Sequence, residues 1–118
     1  MAGGTERVAI SATGTSVDEE MDHHFGRCGY FVIAEGKNIY VVENPARDAA
    51  EGAGLKAAQL MMDLGVTMVI TGSLGPKATQ ALDEAGIRHH VGASGKVCDV
   101  LQRYREGRPG PSAGIDQA

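Results

Sequence analysis

A chain of 118 residues can bury one core and is too short for two, so the expectation is a single domain over 1–106. Its 42% hydrophobic and 22% charged residues are ordinary for a folded domain and exclude wholesale disorder. With 15 acids against 11 bases, a net charge of −4 and no basic run, it has no electrostatic footprint for nucleic acid.

No apolar run approaches the ~18 residues of a membrane-spanning helix, and the start MAGGTER lacks a charged-then-apolar secretory pattern. The expectation is a cytoplasmic protein with no membrane partner. Two cysteines, Cys28 and Cys98, are too few for a disulfide scaffold and read as free thiols or ligands.

In chain order, RVAISA at 7–12 reads as a first strand. The segment TGTSVDEEMDHHFGRCG, 13–29, is long for a connection, and long ordered loops in small domains tend to be functional. YFVIAE at 30–35 and IYVVEN at 39–44, joined by GKN around Gly36, read as a β-hairpin. NPARDAAEGAG reads as a turn-rich linker. A helix follows at about Leu55, with Leu55, Ala58, Met62 and Leu64 at helical spacing and Gly65 as its cap. VTMVIT at 66–71 suits a central strand covered on both faces. Pro76 then opens a second helix carrying Ala78, Ala81, Leu82 and Ala85 towards Gly86. IRHHVG at 87–92 is a short fifth strand, and KVCDVLQRYRE a third helix with Val97, Leu101 and Tyr104 on one stripe and Cys98 in the core beside it. The end, 107–118, has the composition of a disordered tail.

The order β β β α β α β α predicts an α/β fold whose mixed five-stranded sheet carries helices on its faces. Ligands collect beyond the carboxyl ends of parallel strands in such sheets. If the first strand runs parallel to those ending at Thr71 and near His90, the histidine loop, GSLGPK and VGASGK share one edge.

With that order, the motifs VAISA, HFGRCGYF, VVENP, LGVTMVITGSLGPKATQALDEAGI and VGASGKVCDVLQRY give the chain a clear likeness. It resembles the dinitrogenase iron-molybdenum cofactor biosynthesis domain, the NifX and NafY type of nitrogenase accessory protein. The match spans roughly residues 7–105, and HFGRC with the later GxxGPxA is far more specific than a single glycine motif. The resemblance implies an RNase H-like three-layer fold. It also implies binding of an iron-sulfur or iron-molybdenum cluster or its precursor, with donor and acceptor proteins as partners. His24 stands at the family's histidine before Phe25, Gly26 and Arg27.

An imidazole can ligate iron or molybdenum, or donate a hydrogen bond to a cluster sulfide, so His24 is the first candidate ligand and His23 a lesser one. Cys28 is close enough to share the site as a thiolate; a small buried hydrophobe at the strand entrance is the competing reading. Arg27 either meets an anionic cluster or fixes the loop on a carboxylate of the Asp18–Glu20 run. Glycines at the starts of the second and third helices, Gly72, Gly75 and Gly95, would let backbone amides approach an anion closely. His89 and His90 fall on opposite faces of a strand, so they cannot line one site together.

Three function classes follow. A non-enzymatic cluster carrier leads; an interaction or regulatory domain without a cluster, or a mononuclear metal site of His23, His24 and Cys28, are the alternatives. A two-metal nuclease fails, because the early strands offer only Glu35 and Glu43, both near strand ends.

Overall fold

The computed structural model describes residues 6–107. β1 (Val8–Ala12) is buried along its whole length, as an apolar run between two neighbours and two helical layers must be. β2 (Tyr30–Glu35) and β3 (Asn38–Glu43) form the expected hairpin, in register from Tyr30↔Glu43 to Glu35↔Asn38. β4 (Met68–Ile70) and β5 (Arg88–His90) are short. β1 runs antiparallel to β2 and parallel to β4, which runs parallel to β5. The order across the sheet is β3-β2-β1-β4-β5. The centre is therefore β1, and the strand expected there, β4, lies one place over; it is covered on both faces, which is why its sequence is as apolar as a central strand's.

Alternation along the strands divides the core in two. Ala9, Phe31, Ile33 and Val69 face α1 (Ala53–Asp63) and α2 (Pro76–Glu84). Val8, Ile10, Val32 and Ile70 face α3 (Val97–Arg105). These are the helix-covered faces that the element order predicts and the three layers that the family resemblance implies.

The helices depart from expectation in which side they bury. α1 begins at Ala53 and buries Ala53, Ala57, Ala58 and Met61, whereas Leu55 and Met62 are 42% and 40% exposed. Small residues win the inner face because α1 and α2 cross closely: a β-carbon on Gly54 would stand 3.3 Å from that of Ala78. The helix ends where Gly65 adopts φ +72 and the Val66 amide donates to the Met61 carbonyl at 3.0 Å, a left-handed cap that a β-carbon would strain. α3 buries Val97, Val100 and Leu101. Cys98, expected in the core, is only half-buried, with its sulfur towards Asp18 and Asp99.

The linker expected at 44–54 contains a 3-10 turn (Pro45–Asp48) capped by the Asn44 side chain. Positions 108–118, most of the expected tail, lie outside the described residues. No helix among the described residues is long and apolar enough to cross a membrane.

Candidate metal-cluster site

The histidine loop is built from the carboxyl ends of β1 and β4 outward. Ser11 and Thr71, both buried, join their hydroxyls at 2.7 Å across these two strands. The Ser11 hydroxyl also donates to the Asp22 carbonyl at 2.7 Å, and the Asp22 amide donates back to the Ser11 carbonyl at 2.9 Å. The chain then crosses above Gly72, where the His23 carbonyl accepts from the Ser73 amide at 2.8 Å.

Beyond His24 the loop turns into the core. Phe25 packs on Phe31 with ring centroids 5.4 Å apart. Gly26 lies against the start of α1, so close that a β-carbon would stand 2.8 Å from the Gly54 nitrogen. Asn44, fully buried, donates to the carbonyls of Gly26 at 3.1 Å and Cys28 at 2.9 Å and accepts from the Ala46 amide at 3.0 Å. Arg27 fixes the loop, though not on the expected acids: its guanidinium donates to the carbonyls of Arg47 at 3.0 Å and Ala49 at 2.6 Å. The carboxylates Asp18, Glu19 and Glu20 are exposed.

A cleft of about 410 Å³ opens between this loop and the starts of α1 and α2, lined by His24, Phe25, Gly26, Arg27, Gly75 and Lys77 together with Gly52, Gly54 and Ser73. Both helices begin at glycine N-caps, Gly52 and Gly75, that supply no side-chain capping bond. The first helical amides to donate are those of Lys56, to the Gly52 carbonyl, and Thr79, to the Gly75 carbonyl, so the amides of Ala53, Gly54, Leu55, Lys77 and Ala78 precede any helical partner. No aspartate or glutamate lines the cleft, in a chain of net charge −4. Free amides, two helix dipoles and two cationic side chains make it suited to an anion.

The third glycine-rich turn does not join in. The α3 amides of Val97 and Cys98 are taken by the carbonyls of Glu19 at 3.0 Å and Val17 at 2.8 Å, and the Gly95 carbonyl accepts from Met21 at 2.8 Å. The three loops share one edge as expected, but Gly95 serves to dock the histidine loop, and the start of α1 takes its place at the cleft. The doublet Gly52 and Gly54 at a helix start with no capping side chain was the signal for it, hidden by reading that segment as a linker. Gly72 is likewise a packing residue beneath His23.

His24 is exposed at the rim, its side chain 68% accessible; Asp22 accepts from its amide at 2.9 Å and stands 3.6 Å from its Nδ1. His23, also exposed, meets the His24 ring edge-on at 5.2 Å. Cys28 sits as the competing reading had it, a small buried residue at the strand entrance. It is wholly buried, its thiol donates to the Phe25 carbonyl, and burial, with the Asp22 carboxylate adding to it, pushes the thiol from 9.0 up to about 12. The thiol lies in the core and is not among the residues that line the cleft. Among the described residues no three His, Cys, Asp or Glu side chains gather closely enough to hold a metal ion, so the mononuclear site of His23, His24 and Cys28 is not formed. His89 bonds Asp83 at 2.9 Å, and His90 is buried.

The profile of the family described as "Dinitrogenase iron-molybdenum cofactor" matches residues 6–107. The chain belongs to this family. Its fold is similar to that of the orange protein from Desulfovibrio gigas, solved in the apo form, at 35% identity and a TM-score of 0.84 over 91% of this chain and 92% of that one. A candidate NifB protein from Thermotoga, solved by NMR, is 32% identical with a TM-score of 0.76 over 87% and 90% of the two chains. An uncharacterized protein of Methanocaldococcus jannaschii is 30% identical over 96 residues, 77% of this chain and 81% of its own. Membership thus rests on the whole described domain, including the loop and both helix starts that form the cleft.

Proposed function

We propose that the protein binds an anionic iron-sulfur or iron-molybdenum-sulfur cluster, or a precursor of one, as cargo in the cleft between the histidine loop and the starts of α1 and α2. It would act as a non-enzymatic carrier in the cytoplasm, between a donor and an acceptor protein. The observation that carries this reading is a cleft walled by two uncapped helix starts and no carboxylate, with an accessible imidazole, His24, at its rim. Such a site holds its cargo mainly through backbone amides, which suits a protein with two cysteines, too few for the four thiolates of an ordinary cluster. His24 supplies the side-chain contact, as a metal ligand or as a donor to sulfide, and Arg27 and Lys77 add screened attraction.

Anaerobic reconstitution with iron, sulfide and molybdate, followed by gel filtration, metal analysis and absorption spectroscopy, tests this. Broad cluster absorption retained by the wild type and by Cys98→Ser, and strongly reduced in His24→Ala, is the expected result. Retention by His24→Ala with loss in Cys98→Ser would move the site elsewhere. A second reading, an interaction domain without a cluster, draws on the exposed Leu55, which lines the cleft, and Met62 near the other end of α1; it predicts no cluster absorption in any of these proteins.

A further inference from the structure

The two edges of the sheet are protected very unequally. β5 is only three residues long, and short edges offer little to pair with. β3 is six residues long, and its register with β2 runs without a skipped residue, so no bulge twists it away. It contains no proline, and no charge interrupts Asn38 to Val42. Among the described residues it pairs with β2 alone. Ile39 and Tyr40 are 43% and 41% exposed, on opposite faces of this edge. A long, regular, apolar edge of this kind is a template for another strand.

The edge is also complementary to itself. An antiparallel pairing centred on Tyr40 sets Tyr40 against its own copy, Ile39 against Val41, Asn38 against Val42, and Lys37 against Glu43. One face of the junction then carries Ile39 and Val41 from both copies, extending the apolar side on which Val41 already packs with Val32 and Ala34. The other face stacks two tyrosines beside Val42, which packs on the α1 side. Each end closes with opposite charges: Lys37, in the turn just before β3, and Glu43, which holds Arg47 at 2.9 Å through one oxygen but keeps its side chain 66% exposed, flank the apolar stretch. A shift of one residue in register would break both charge pairs and place Tyr40 against Ile39 or Val41.

We propose that β3 pairs antiparallel with β3 of a second copy of this chain, with Tyr40 on the twofold axis and Lys37 facing Glu43 at both ends, joining two five-stranded sheets into one of ten strands. This stands independently of the cluster reading, because β3 contributes no residue to the cleft.

Sedimentation of the full chain over a concentration series, with near-ultraviolet circular dichroism to check folding, is the first test. The wild type is expected to reach a dimer, and Lys37→Glu and Glu43→Lys, each placing like charges at both ends, are expected to weaken it on the order of tenfold. Mixing the two variants should restore association, since the mixed dimer again joins opposite charges at both ends. Register is tested in a Cys98→Ser background: Tyr40→Cys should oxidise to a disulfide-linked dimer, whereas Asn38→Cys should not, its two copies lying too far apart along the strands. A wild type that stays monomeric at the highest concentration overturns the proposal. So does a mixture no more dimeric than its components, or an Asn38→Cys chain that links as readily as Tyr40→Cys.

Discussion

A β-carbon on Gly72 would stand 2.3 Å from His23 Nδ1 and 2.7 Å from the His23 carbonyl oxygen. The histidine loop therefore lies on β4's exit as closely as backbone can. Gly72→Ala must lift it, breaking the Ser73 amide's bond to His23, at a cost of about 1–3 kcal/mol. Gly75→Ala meets nothing within 4 Å and should leave stability almost unchanged. Denaturant melts of both variants check this; equal stability would show that the loop yields without cost.

Asn44 ties three backbone groups from one buried side chain. Asn44→Ala leaves the carbonyls of Gly26 and Cys28 without that donor and opens a small void, for a loss of roughly 2–4 kcal/mol. Hydrogen exchange should show the Gly26 to Gly29 segment opening first. A uniform change across the domain would mean that Asn44 supports the whole core and not this loop.

The Cys28 thiol, pushed up to about 12 by burial, stays protonated in the fold while the unfolded chain ionises near 9.0. Between those values the native state holds a proton that the unfolded state has lost, so this group's contribution falls as pH rises from about 9 towards 12 and is constant below. Cys28→Ala should flatten that fall in denaturation midpoints measured at pH 8 and pH 10.5, whatever it costs in packing. At pH 8 iodoacetamide should modify Cys98 in the native protein and spare Cys28. An unchanged pH dependence, or rapid labelling of Cys28, contradicts the buried neutral thiol.

Val69 and Ile70 are buried in β4 at 0% and 1% exposure, one facing each helical layer. Truncating either to alanine should cost on the order of 1–4 kcal/mol through lost burial and a residual cavity. A near-zero effect at both would be incompatible with the interior place of β4.

Strand order along the chain, the hairpin and the starts of α2 and α3 are legible in the sequence because period, proline and glycine are local signals. The inner face of α1 is not. Leu55 and Met62 have the right spacing and the larger side chains, but the approach of α2 favours alanine and glycine there, and only the packed pair reveals it. Within the site, the loop and Gly75 are readable from HFGRC and GxxGPxA. The contribution of Gly52 and Gly54, and the diversion of Gly95 and the α3 amides to dock the loop, depend on contacts between segments some 30 to 80 positions apart. The burial of Cys28 depends on Asn44 and Phe25 in the same way.

The ties that hold the histidine loop span long stretches of chain: Ser73 reaches His23, Gly95 reaches Met21, and Cys98 reaches Val17. Contacts so distant in sequence form only after the intervening chain has ordered, which makes them slow to close. During synthesis β1, β2 and β3 can meet early, but the loop has no seat until β4 and α3 have left the ribosome. Assembly of the cleft is thus confined to the completed domain, and a nascent or truncated chain ending before α3 would leave His23 and His24 on a segment without its ties to Gly95 and Cys98.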